Sequence, residues 1–367
     1  MFRGLTRWLP QYLTDGRARR SARAEGGVDI MFAVCDHFEP FHHADKAEAM
    51  RRLATWKSKW PALIRNFCDA DGTHPKHSFF YPIEQYDQDI AKEIAELCAA
   101  TDGELEFHLH HADDTVDTLR YKLERAKDLF GDHGFLSRDK TGDLRFGFIH
   151  GDWALDNSHP QGKHCGVSNE LGVLRKAGCY ADFTMPSAPD VTQTHTINSI
   201  YYAQDTPAPK SHDRGILTRV LEQNAPSLRD SFEHLLMVQG PLALNWQRRK
   251  FGILPRIENG DITGANQPRP DRMNIWRKLN IHVEQQPNWI FIKLYTHAGI
   301  PRNMATLLEK PMADFYEHAL TNYNDGQKYR FHFVTARETV NIIHAAEDGQ
   351  TGNAGGFRDY LYTRGAS

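Results

Sequence analysis

The stretch Val28-Asp29-Ile30-Met31-Phe32-Ala33-Val34-Cys35-Asp36-His37-Phe38-Glu39-Pro40 sets the reading of the whole chain. A near-continuous apolar run from Val28 to Cys35 suits a strand buried on both faces, as in a parallel sheet covered by helices. The run ends in Asp36 and His37, with Glu39 on the loop beyond, so polar groups gather at the strand's C-terminal end. In α/β folds that end carries the chemistry.

Working outward, Lys46 to Phe67 places Leu53, Trp56, Trp60, Leu63 and Ile64 near helical spacing, with Pro61 expected to kink or break the helix. Strands are expected at 78–81, 104–110, 145–150, 180–184, 234–238, 289–294 and 329–334, and helices at 84–100, 113–130, 169–177, 303–323 and 337–347. Gly178 is expected to cap the helix that precedes it. Strand and helix alternate along the chain, and about seven or eight such units argue closure into a single distorted (β/α) barrel. Residues 28–367 are assigned to that barrel, with long loops at 203–230 and 258–272 where Pro, Gly, Asp and Asn concentrate. No repeat or low-complexity tract stands out.

Composition narrows the partners. The 367 residues carry 44 basic and 47 acidic side chains, net −3, so no global field draws the chain to nucleic acid. No apolar run approaches the roughly 18 residues of a membrane helix. Residues 1–27 form a basic arm with Arg3, Arg7, Arg17, Arg19, Arg20 and Arg23, without the apolar core or cleavage site of a signal peptide. The arm is expected to pack Trp8 onto the body, a weak membrane-surface contact being the alternative. Five cysteines without a CxxC pair suggest reduced thiols in a cytoplasm.

The outlying number is 20 histidines. In Glu104-Leu105-Glu106-Phe107-His108-Leu109-His110-His111, side chains alternate along a strand, so Glu106, His108 and His110 share one face. Two imidazoles at a strand end can reach one ion, and zinc or a similar borderline divalent metal prefers imidazole with carboxylate. His111 leaves the strand and can turn to either side. Residues 146–149 lead into His150-Gly151-Asp152-Trp153-Ala154-Leu155-Asp156, a second polar strand end, where Trp153 can stack on a sugar ring. A third, at 290–294, leads into Tyr295-Thr296-His297. His42, His43, His195, His212 and the cysteines have no partner at ligand spacing and read as structural.

Taken together, the Asp36-His37 strand end, Ser78-Phe79-Phe80-Tyr81-Pro82, the Glu104 to His111 stretch and the closing Phe331-His332-Phe333-Val334-Thr335 resemble the polysaccharide deacetylase (NodB-like) family across about residues 28–347. The resemblance implies a distorted seven-stranded (β/α) barrel of the TIM-like, NodB type, which removes acetyl groups from N- or O-acetylated sugars with one divalent metal. Laid on this sequence, it puts the general base on Asp36, metal ligands on His37 and His108, and the acid on His297. The family's second ligand histidine falls four residues after the first, where this chain has Ala112, so His110 or His111 takes its place. The family's arginine motif has no match. Glu39, His150, Asp152, Trp153 and Asp156 are then expected to meet the acetylated saccharide. Two alternatives stay open: a glycoside hydrolase pairing Asp36 or Glu39 with Asp152 or Asp156, and an inactive carbohydrate-binding remnant.

Overall fold

The computed structural model describes residues 4–21, 26–223 and 225–365. Arg3 and Arg23 of the expected basic arm lie outside them. The chain runs through α1 (Leu5–Ser21), β1 (Val28–His37), α2 (Lys46–Ile64), β2 (Ser78–Pro82), α3 (Gln88–Thr101), β3 (Glu104–Leu109) and α4 (Val116–Gly131). There follow β4 (Ser137–Arg138), β5 (Leu144–His150), α5 (Glu170–Ala177), β6 (Cys179–Asp182), β7 (Ile200–Gln204), β8 (Ile216–Leu217) and β9 (His234–Val238). After the hairpin β10 (Ala243–Lys250) and β11 (Leu254–Glu258) come α6 (Pro270–Leu279), β12 (Trp289–Thr296), α7 (Pro301–Leu308), α8 (Lys310–Tyr323), β13 (Tyr329–Phe333) and α9 (Ala336–Glu347).

The result is a mixed α/β fold built on one large, mostly parallel sheet of order β12-β1-β2-β3-β5-β6-β9-β7-β8. The opening strand is its centre, pairing in parallel with β12 along Asp29–Asp36, with β13 at Val28–Phe32 and with β2 at Cys35–His37. Alternation along β1 sends Ile30, Phe32 and Val34 into the large cluster under the helices, with Trp56, Trp60 and Phe79. Met31, Ala33 and Cys35 join the opposite cluster with Phe80, Ile149 and Phe291.

The expected closed barrel does not form, because both closing edges are already occupied. β9 has β6 on one side and the antiparallel β7 on the other. The outer edge of β12 is taken by loop backbone, with Ile262 N donating to Tyr295 O and Phe291 N to Ile281 O, each at 2.8 Å. Strand edges satisfied in this way have no groups left to pair with each other. The ends still approach, since the Lys293 ammonium of β12 donates to the carbonyls of Phe183 and Met185 beyond β6 at 2.6 and 2.8 Å. In addition, every residue of α9 is buried, and its Val340, Ile342 and Ile343 pack into the same cluster as Met31 and Phe291.

Other differences from the sequence reading have local causes. The helix expected at 303–323 is broken at Glu309, whose φ of −130° and ψ of −167° are extended, two residues before Pro311. Pro61 is accommodated within α2, three residues before its end at Ile64, so it neither breaks nor shortens the segment that packs Trp56 and Trp60. Gly178 caps α5 with φ of 107°, as expected. The expected basic arm is helical over Leu5–Ser21, and Trp8 is fully buried against Ala188, Ile197 and Leu242. Strands β7, β8, β10 and β11 and helix α6 were not expected, and the long-loop assignments gave up residues to several of them. Among the described residues no helix is long and apolar enough to cross a membrane.

Candidate functional site: two histidine clusters at the strand ends

The inward side of β1 and β3 brings His37, His108 and His110 together, as alternation requires. The His37 ring lies 4.9 Å from that of His108 and 4.6 Å from that of His297, and the His108 and His110 rings are 4.4 Å apart. Glu39 enters from the loop after β1, its Oε1 3.4 Å from His108 Nε2 and 3.6 Å from His110 Nε2. The other ring nitrogens are tethered. His108 Nδ1 donates to Ile149 O at 2.9 Å, and His110 Nδ1 meets Glu84 Oε1 at 2.8 Å. A carbonyl only accepts, so the proton of His108 is on Nδ1 and its Nε2, buried and without a hydrogen bond, offers a lone pair toward Glu39. Gly151 makes room for this arrangement, because a Cβ there would sit 2.2 Å from His110 Cδ2.

Electrostatics favour a cation here. Burial alone would raise the Glu39 carboxyl, but the surrounding imidazoles of His108, His297 and His110 hold it at about 2. Burial and the neighbouring imidazoles push His37 well below its usual value, and burial lowers His297. Glu39, His108 and His110 place three ligand atoms within 4.8 Å of one another. Beside them runs a cleft of about 900 Å³ lined by Trp153, His159, Pro189, Asn259 and Tyr295. Tyr295 is the shared wall, its ring 5.7 Å from His37.

The structure separates the remaining expected residues. Asp36 points away from His37 and is fully buried, with Oδ2 at 2.9 Å from His77 Nε2 and Oδ1 accepting from Ala298 N at 2.8 Å. With no solvent exposure and both oxygens bonded inside the protein, the carboxylate clamps the loop that carries His297. Asp152 is exposed and pairs with His164 at 3.1 Å, while Trp153 reaches the cleft. His111, His150 and Asp156 turn to the helix side and are buried there.

That second group contains residues the sequence reading left as structural or did not single out. His111 Nε2 is 3.0 Å from Glu170 Oε1, His150 Nε2 is 3.6 Å from Glu170 Oε2, and Cys165 Sγ is 3.4 Å from the same oxygen. All four residues are buried, and their ligand atoms lie within 4.8 Å of one another, so they could hold a metal ion. Burial would raise the Glu170 carboxyl, but His150 and His111 hold it at about 2. Asp156 stands behind, accepting from Ser211 N at 2.6 Å and Glu170 N at 3.2 Å, and burial pushes its carboxyl up to about 8. His212 is fully buried nearby with neither ring nitrogen hydrogen-bonded. Sequence gave little warning of this cluster. Cys165 and Glu170 follow His150 at no recognised ligand spacing, and Glu170 reads as an ordinary acidic residue in a first helical turn.

A third trio, Asp69, Asp71 and His332, is already neutralised: Arg358 reaches Asp69 at 2.9 Å and Asp71 at 2.7 Å, and Asn353 donates to Asp71 at 2.6 Å. Compared with models of known protein families and with curated proteins, the chain matches none.

Proposed function

We propose that the protein is a metal-dependent hydrolase that removes an acetyl group from an N- or O-acetylated saccharide. The observation that carries this reading is the meeting of His37, Glu39, His108, His110 and His297, from three strand ends, beside a cleft with Trp153 on its wall. The donor set fits a divalent ion: two imidazole Nε2 atoms, oriented by partners on Nδ1, face one carboxylate. Zinc is the first choice for such ligands. Glu39, His108 and His110 would hold it, and a bound ion supplies Lewis acidity to the acetyl carbonyl.

The chain's own groups do the rest. His297, half-buried and kept neutral by burial, accepts a proton from the attacking water at a ring nitrogen and returns it to the leaving amine or hydroxyl. His37 and Tyr295 shield that exchange from bulk water. Asp36 positions His297 through the Ala298 amide. Trp153 offers a ring face to the saccharide. A glycosidase pairing Asp36 or Glu39 with Asp152 or Asp156 is the weaker reading, since Asp36 and Asp156 are hydrogen-bonded inside the protein and Asp152 pairs with His164.

The test is acetate release from acetylated oligosaccharides before and after chelation, with zinc added back. Activity that chelation abolishes and zinc restores is expected, and Glu39→Gln should lower turnover about 100-fold or more. Acetate release indifferent to chelator, or absent from N- and O-acetylated substrates alike, overturns the assignment.

A further inference from the structure

We propose that His111, His150, Cys165 and Glu170 form a closed, thiolate-containing zinc site that staples the 151–170 segment to the ends of β3 and β5. The site is separate from the mouth cluster and stands whether or not the acetyl-hydrolase reading does. Zinc bonds of about 2.0–2.3 Å in a tetrahedron put ligand atoms about 3.3–3.8 Å apart. The contacts from Glu170 Oε2 to Cys165 and His150, at 3.4 and 3.6 Å, match that edge, while His111 lies 3.0 Å from the carboxylate's other oxygen.

Three further observations point to a cation. His150 Nδ1 is 2.6 Å from Gly151 O, so it carries the ring proton and the fully buried Nε2 offers only a lone pair. That lone pair faces a Glu170 oxygen 3.6 Å away, beyond hydrogen-bond reach, and a cation between the two would satisfy both. Finally, backbone N–H groups of Asn157 at 3.3 Å and Val167 at 3.4 Å hold Cys165 Sγ in place, with the sulfur turned to the Glu170 carboxylate at 3.4 Å. Loading releases the protons that His111 Nε2 and the Cys165 thiol otherwise carry. With all four ligands buried the ion has no open position, which makes its role structural. It fixes the loop that presents Trp153 to the cleft.

The experiment is cobalt(II) loading of the full chain, followed by absorption spectroscopy and elemental analysis. Cys165 is the only cysteine in a ligand cluster among the described residues, so a sulfur-to-cobalt charge-transfer band with intense tetrahedral bands is expected from this site alone. The band should persist in His108→Ala/His110→Ala and vanish, with loss of one metal equivalent, in Cys165→Ser. Cobalt bound to the wild-type chain without a thiolate band, no cobalt bound at all, or a band unchanged by Cys165→Ser overturns the proposal. Should Cys165→Ser fail to fold, the wild-type spectrum decides alone. Failure of the hydrolase reading is told apart by chelation-dependent acetate release, which involves the mouth cluster only.

A different surface carries a second inference. The β10–β11 hairpin projects Phe251 at 82% exposure and Ile253 at 74%, with Trp246 and Leu254 also exposed. Arg249, Lys250 and Arg256 stand among them and form no ion pair with a described residue, and Arg248 is crowded by Arg256, Arg269 and Arg272. Its base is anchored, since Leu244 and Ile257 pack on the cluster that buries Trp8. An apolar tip collared by uncompensated positive charge matches the surface of an anionic bilayer, where side chains enter the interface and phosphates meet the cations. We infer that this hairpin docks the protein on anionic lipid. Co-sedimentation with phosphatidylcholine vesicles containing phosphatidylglycerol should show binding that pure phosphatidylcholine lacks, that salt weakens, and that Phe251→Ser/Ile253→Ser reduces at least tenfold. No binding to the anionic vesicles, equal binding by the variant, or self-association abolished by the variant in place of lipid binding overturns it.

Discussion

His110 and His111 are adjacent in sequence and end in opposite worlds. His110 stays on the inward side of β3 beside Glu39, half-buried in the cluster that Tyr295 joins to the cleft. His111, one residue on, is buried on the helix side against Glu170. Both clusters gather imidazoles around one carboxylate held at about 2, yet they differ in access and in sulfur. The open cluster has no cysteine and shares Tyr295 with the cleft, whereas the closed one has Cys165 and is buried at all four residues. Ligand identity sets what an ion would bind, and burial sets whether it could react.

The comparison can be broken most sharply at the mouth. His108→Ala with His110→Ala should cut acetate release by about 1,000-fold, some 4 kcal/mol of transition-state stabilisation, while the melting temperature stays near that of the wild type. A large fall in melting temperature there would make the mouth structural too. The closed cluster should answer in the opposite sense. Cys165→Ser is expected to lower unfolding free energy by about 3 kcal/mol in denaturant titration, with turnover per folded molecule largely kept. Between the two lies Trp153, carried by the stapled loop but facing the cleft. Trp153→Ala should raise KM about tenfold with kcat unchanged, and a kcat loss instead would place the indole in the chemistry.

The smallest effect belongs to the trio in which arginine stands where a metal would. Burial would raise the Asp71 carboxyl, but Asn353, Arg358 and His332 hold it at about 2 against an ordinary 3.8. A carboxyl depressed in this way stabilises the fold above about pH 4, and the contribution is lost as pH falls toward about 2. Asp71→Asn should therefore flatten the drop in melting temperature over that window. Solvent screening of this half-exposed side chain keeps the difference to about 1 kcal/mol or less. Unchanged acid sensitivity would remove Asp71 from the network.

Much of the mouth could be read from the chain because its logic is local. Strand alternation puts His108 and His110 on one face whatever lies around them, and the polar run after Cys35 marks the chemical end of β1. The same alternation, followed one step further, separates Asp36 from His37, which the family resemblance had joined in one motif. The closed cluster was not legible, because its four members come from three segments whose meeting depends on how the 151–170 loop folds back onto α5.

By itself, then, the sequence determined an α/β architecture, a buried strand over 28–35 ending in polar residues and an imidazole pair at the end of β3, because periodicity and local propensity act within a few residues. Only the tertiary structure decided that the sheet stays open, that Asp36 is a clamp, and that Cys165 and Glu170 join His111 and His150. Those outcomes turn on which strand edges, loops and buried charges meet across long stretches of chain, and no local pattern encodes such meetings.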